Sequence, residues 1–232
     1  MTIDGPAGSG KSTLAPELAS RMGWSHLDSG ALYRVLAWLA SRRGLDLTTT
    51  GTSIIHLADE VGIDLQRTAT SQKFLVGGED VTEGIRAPEV SHAASHVAKL
   101  PEIRDWVVRR LRGLADQSPD GVVADGRDMG TVVFPDAILK IFLEASADER
   151  ARRRQKELAE RGYEQTLDTV RMELLSRDDV DRNRAHSPMV PAKDAIHIDT
   201  TDCSVAEVTA RVEKLIRRAV DDNNTQTNEN AS

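Results

Sequence analysis

Apolar and polar positions along the chain divide it into strands and helices that follow one another in turn. Residues 1–4 read as a short strand entering a glycine-rich loop, and residues 11–22 as the helix that leaves it. A second short strand covers 25–28 and a second helix 31–41. Over 63–81 the pattern changes to short β segments around Gly77-Gly78, with Phe74-Leu75-Val76 before the turn and Asp80-Val81 after it, which predicts an antiparallel insert. Helical patterning returns over 88–98 and 101–116. Residues 121–125 and 138–143 are unbroken apolar runs, as expected of parallel strands buried on both faces. Ser146-Ala147-Asp148-Glu149 is a capping box that opens an arginine-rich helix. Another helix is expected over 166–179, a last strand over 195–199 and a last helix over 205–220. Strands alternating with helices imply an α/β fold, with a five-stranded parallel core sheet, right-handed crossovers and helices on both faces.

At 232 residues the chain has room for one large α/β domain carrying small inserted lobes. Aromatic residues make up only 3%, so Val, Ile, Leu and Ala must build the core. No apolar run is long enough to cross a membrane, and with Asp4 and the Gly-rich loop following at once no signal peptide is expected. The single cysteine, Cys203, has no partner in the chain for a disulfide, so a cytoplasmic setting is expected. His92 and His96 share a helix face, but no third ligand accompanies them and no metal site is assigned there. The net charge is −7, and three of the acids lie in the last twelve residues, which hold no Lys or Arg. That Asn- and Thr-rich tail, about 219–232, is expected to be disordered. The arginines cluster instead: Arg109-Arg110 with Arg112, Arg150 with Arg152-Arg153-Arg154, and Arg177 with Arg182 and Arg184. A mildly acidic chain with local arginine clusters does not suit a nucleic-acid polymer as partner. It suits a grip on something small and anionic.

Between the first strand and first helix, Gly5-Pro6-Ala7-Gly8-Ser9-Gly10-Lys11-Ser12 matches G-x-x-x-x-G-K-[ST] at every fixed position. Glycines let backbone N–H groups turn toward phosphate oxygens, and the helix that follows points its positive end at the same place. Lys11 would reach the β- and γ-phosphates, Ser12 would coordinate Mg2+, and Thr13 could donate to the α-phosphate. Pro16 falls early in the helix and has no functional reading.

A phosphate loop alone does not separate kinases from GTPases or motors. The nearest approach to a guanine-reading [NT]-K-x-D motif, Pro191-Ala192-Lys193-Asp194, lacks the Asn or Thr. The remaining polar signatures lie at strand ends and on helices. Asp28-Ser29-Gly30 closes the second strand, with Tyr33-Arg34 one turn on. Asp125-Gly126-Arg127-Asp128-Met129-Gly130 closes the third, at the carboxyl edge where α/β sheets bind ligands. Arg177, Asp181 and Arg184 lie at i, i+4 and i+7, one face of a helix.

These segments, together with Val123 through Ala137, Lys140-Ile141-Phe142-Leu143 and Asp181-Arg182-Asn183-Arg184, resemble the bacterial cytidylate kinase family over residues 2 to about 218. The resemblance implies a nucleoside monophosphate kinase fold: a P-loop core over 1–30 and 99–218, a lid at about 152–165, and a lobe at 31–98 for the monophosphate, enlarged by the insert near 57–95. It implies transfer of a phosphoryl group from ATP to CMP or dCMP, in pyrimidine nucleotide metabolism, by a monomer with Mg2+. By position, Ser29, Arg34, Ser95, Arg104, Arg127, Asp128, Arg177, Asp181 and Arg184 would line the CMP site, and Arg153 of the lid would join the loop on ATP. Lys11, Arg127, Asp128 and Arg184 would carry the catalysis. Without the resemblance, Arg34 and Arg104 read as solvated charges on exposed helix faces. Two rivals stay open: a kinase of the same fold for UMP or a non-nucleotide, and a regulatory module that binds ATP without turnover.

Overall fold

The computed structural model describes residues 1–47, 51–67 and 72–230. The five-stranded parallel sheet runs β2-β6-β1-β7-β8, and a separate three-stranded sheet runs β3-β4-β5. Two compact units are distinguished, Met1–Met22 with the chain from Val123 onward, and Gly23–Val122.

In the first unit β1 (Thr2–Asp4) lies between β6 (Val122–Gly126) and β7 (Lys140–Glu144), parallel to both, and β8 (Ile196–Asp199) pairs with β7. Ile3, Val123, Ile141 and Leu143 are fully buried, as a parallel strand covered on both faces requires. Helix α1 (Lys11–Met22) runs through Pro16 without a break and packs against α8 (Val205–Asn230). Helix α8 continues past residue 220, through ten positions that were expected to lack structure; no Gly or Pro after Val205 interrupts it. Residues 231 and 232 of the expected tail lie outside the described residues. Ser146 caps α6 (Ala147–Glu160), accepting from Glu149 N, and α6 packs on α7 (Leu167–Asn183) through Ala151, Leu158, Val170 and Leu174.

In the second unit β2 (Ser25–Asp28) leads into α2 (Ser29–Arg42), which is buried on nearly every side. A helix apolar all round belongs in an interior. Around it pack α3 (Gly51–Val61), α4 (Pro88–Val97) and α5 (Pro101–Asp116). The sequence reading placed α5 with the core. Its buried stripe of Ile103, Val107, Leu111 and Leu114 packs it on α2 and α3 instead. Helix α3 was not anticipated. The expected antiparallel insert is β3 (Ile63–Arg67), β4 (Gln72–Val76) and β5 (Glu79–Asp80), with Ile63 opposite Val76 and a turn at Gly77-Gly78. Residues 68–71 of that insert lie outside the described residues.

Candidate active site

Asp4 and Gly126 stand opposite each other in parallel register, so the loops after β1 and β6 leave the sheet at one edge. The first is the glycine-rich loop. Gly5 takes a φ of +143°, and a Cβ there would sit 2.1 Å from Leu143 O, so only glycine fits. Lys11, the first residue of α1, folds back over the loop. Its Nζ donates to Pro6 O at 2.7 Å and to Ser9 Oγ at 3.3 Å. Burial holds its pKa well below the ordinary lysine value; Arg127 adds to the depression, while Asp125 and Asp4 oppose it. A buried cation in that state is stabilised by incoming negative charge. Ser12 and Thr13 are exposed in the first helical turn.

Arg153 of α6 lies beside the loop. It donates to Glu149 Oε1 at 3.0 Å, to Thr200 Oγ1 at 3.0 Å and to Thr200 O at 2.5 Å. Thr200 Oγ1 shares its one hydrogen between Ser9 O at 3.2 Å and Glu144 O at 3.1 Å. Thr200, buried just after β8, joins this arginine to the loop, and nothing in its local sequence singled it out.

The loop after β6 turns through a single π-helical stretch, Met129–Val133. Asp4 holds it in place: one carboxylate oxygen accepts from Met129 N and the other from Gly130 N, each at 2.8 Å. Burial raises the Asp4 pKa to about 6, the nearby Asp128 charge also raises it, and the two N–H donors and Lys11 hold it down. Arg127 precedes this turn and donates Nε to Asp181 Oδ2 at 2.9 Å. Helix α7 extends past the expected residue 179, so that Arg177 and Asp181 are both helical and Arg184 is its C-cap. Arg184 reaches Asp181 at 3.5 Å, Asp128 at 3.7 Å and Ser187 O at 2.5 Å. Asp181 is buried, which pushes its pKa up, but Arg127, Arg177 and Arg184 outweigh that and hold it below the usual carboxylate value. Lys11, Arg127, Asp128, Arg177, Asp181 and Arg184 thus form one charged cluster in the first unit, with Asp125 within its field.

The second unit holds the other expected residues. Asp28 Oδ1 caps α2 by accepting from Ala31 N at 2.9 Å, and Oδ2 accepts from Arg34 Nη2 at 2.9 Å. Ser29 is buried beside that cap. Arg104 is also buried, 3% exposed, with its guanidinium 5.6 Å from the Tyr33 ring centre and Nη1 donating to Ala98 O at 3.3 Å. Neither arginine lies on an exposed face, because each has a partner on α2 or a neighbouring helix end. Ser95 on α4 is half-buried and donates to Ser91 O at 3.4 Å. His92 and His96 meet each other, Nε2 to Nε2 at 3.2 Å.

A phosphate loop after the first strand of a five-stranded parallel sheet, together with the arginine face of α7, defines the P-loop nucleoside monophosphate kinase fold. The cytidylate kinase family model matches residues 1–218. The chain is 48% identical over 214 residues to a cytidylate kinase of Pseudomonas syringae pv. tomato, covering 91% of this chain and 92% of that one. It is 45% identical over 219 residues to a cytidylate kinase of Klebsiella pneumoniae, covering 94% of each. The chain belongs to the cytidylate kinase family.

Proposed function

We propose that the chain transfers the γ-phosphoryl group of ATP to CMP or dCMP, giving ADP and CDP or dCDP, as a step of pyrimidine nucleotide metabolism. One observation carries the reading: the phosphate-loop lysine shares a buried electrostatic neighbourhood with Arg127 and Arg177, in a chain of this family. Phosphoryl transfer needs positioning and charge stabilisation more than covalent help from the protein. In this reading Gly5 through Thr13 cradle the ATP phosphates, Lys11 meets the migrating group, and Arg153 assists from a lid at about 152–165. Arg127, Arg177 and Arg184 neutralise the acceptor phosphate and the charge of transfer, and Asp181 takes a ribose hydroxyl. Ser29, Arg34, Ser95 and Arg104, all carried by the unit Gly23–Val122, are read as further CMP-binding residues.

A phosphoryl-transfer enzyme of this family uses a divalent cation with ATP. The donors present fit Mg2+ brought in by the nucleotide. They are oxygen-only, the exposed Ser12 hydroxyl with the carboxylate of Asp125 near Lys11, and no described group of three or more His, Cys, Asp or Glu could hold a metal alone. When bound, Mg2+ would supply positive charge that offsets the negative charge of the phosphates during transfer. No described helix is long and apolar enough to cross a membrane. With an exposed free Cys203 and nucleotide substrates, the protein is read as a cytoplasmic monomer without nucleic-acid partners.

Base choice is assigned to Asp128 and Arg104. Cytosine offers an amino donor and the N3 acceptor, which suit a carboxylate and an arginine; uracil reverses both. Mispaired buried polar groups cost about 1–3 kcal/mol each, more when charged as both of these are, so CMP should exceed UMP by on the order of a hundredfold or more in kcat/KM. An ADP-release assay across a nucleotide panel tests this. Asp128→Asn should fall steeply with CMP and change little, or gain, with UMP. A wild-type preference for UMP would end the assignment, and ATP binding without turnover would favour a regulatory module.

A further inference from the structure

Arg150 and Asp178 have no part in the reaction as read above, yet they form a buried ion pair directly under the phosphate loop. Arg150 Nη1 lies 2.5 Å from Asp178 Oδ2 and donates to Ala7 O at 3.0 Å, while its Nε donates to Ala145 O at 3.1 Å. Asp178 Oδ1 accepts from Ala7 N at 3.4 Å. Both side chains are almost wholly buried. Both backbone polar groups of one loop residue are therefore held by one ion pair, whose members come from α6 and α7. The methyl group of Ala7 packs on the apolar cluster between the same two helices, with Ala151, Leu158, Val170 and Leu174. The backbone approach is close: Gly8 has a φ of +77°, and a Cβ there would lie 3.0 Å from both Arg150 Cβ and Arg150 O.

We infer that Arg150 and Asp178 are a positioning pair that sets two successive peptide planes of the phosphate loop, and with them the seating of ATP. A trans peptide directs its C=O and N–H to opposite sides, and no cis bond is present among the described residues. Asp178 holds the N–H of the Pro6–Ala7 peptide, whose carbonyl on the other side accepts from Lys11 Nζ. Arg150 holds the carbonyl of the Ala7–Gly8 peptide, which turns the Gly8 N–H away from α6. The pair thus acts on Lys11 and on a loop amide from outside the loop. Buried ion pairs add little net stability over apolar pairs of similar volume, so geometry is the better account of this one.

The inference rests on the reading of the loop as the ATP site. The test replaces the pair by apolar residues, Arg150→Met with Asp178→Leu, and compares steady-state kinetics and melting with wild type. Expected is a melting temperature close to wild type, a loss of roughly ten- to a hundredfold in kcat/KM for ATP, and a KM for CMP within about threefold of wild type, since Arg127 and Arg184 still hold Asp181. Arg150→Lys is the second variant: it keeps the charge opposite Asp178 but lacks the fork that reaches Ala7 O and Ala145 O together. It should show the same selective loss for ATP, and it decides the matter if the double variant does not fold. ATP kinetics within about threefold of wild type, or a KM for CMP that rises as much as the KM for ATP, would overturn the inference. Lys11→Ala run alongside separates the two readings: if it keeps activity, the ATP assignment of the loop fails, whatever the pair does.

Discussion

Replacing Asp4 by Asn asks what a buried carboxylate does for the turn that carries Arg127 and Asp128. Asp4 is 4% exposed and its pKa lies at about 6, against 3.8 for an ordinary aspartate. The unfolded chain therefore gives up this proton more readily than the folded one. Stability from the group is fully present below pH 3.8 and is lost as pH rises through about 6. A shift of about two units corresponds to about 3 kcal/mol, little screened at this depth. Asn removes that pH dependence but brings a fixed defect: its one carbonyl can accept from Met129 N or Gly130 N, not both, and its NH₂ then faces an N–H. That defect costs about 1–3 kcal/mol. Subtracting urea unfolding free energies of Asp4→Asn from those of wild type, between pH 4 and pH 8, isolates the carboxylate. The wild-type advantage should shrink by about 3 kcal/mol across that range and approach zero at the alkaline end. A difference that stays flat within about 1 kcal/mol would show that the charged carboxylate is not being held against its burial.

Lys11→Ala should lower kcat by two orders of magnitude or more, with far less change in either KM, as removal of a stabilising donor at the developing charge does; a rate within about tenfold of wild type refutes the placement of transfer at this loop. Asp181→Ala should raise the KM for CMP more than that for ATP in initial-rate measurements, and a shift confined to ATP would move the arginine face of α7 to the other substrate. A chain ending at Val220 should melt within a few degrees of wild type by calorimetry and keep its kcat, because Asp221 to Asn223 are exposed; a larger loss would mean that the end of α8 makes contacts of its own.

Local signals were legible and distant ones were not. The glycine-rich loop and helix α1 lie where the motif and the pattern put them, because a strand, a phosphate loop and a helix cap are all written within about twenty neighbouring residues. The same holds for Ser146 at the start of α6 and for the Gly77-Gly78 turn. Helix α3 escaped notice because it is short, and its buried face at Ile54 and Ala58 is completed only when the distant helices α2 and α5 pack on it. The π turn at Met129–Val133 has no local signature either. Its amides are satisfied by Asp4, more than a hundred residues earlier. Arg150 read only as one of an arginine cluster until folding placed it, with Asp178, against Ala7. Burial of Arg34 and Arg104 was hidden for a related reason: a charged residue reads as exposed unless the carboxylate, ring or carbonyl that receives it is also in view.

Asp28 divides its two oxygens between the start of α2 and the guanidinium of Arg34. On the proposed reading of Arg34 as a CMP-site residue, this arrangement would select among anions by charge. An incoming anion must compete with a carboxylate that already sits 2.9 Å from the guanidinium. A phosphate monoester carries between one and two charges at neutral pH and three acceptor oxygens. It would compete better than chloride or bicarbonate, and Asp28 would not be stranded afterwards, because the Ala31 amide still holds it.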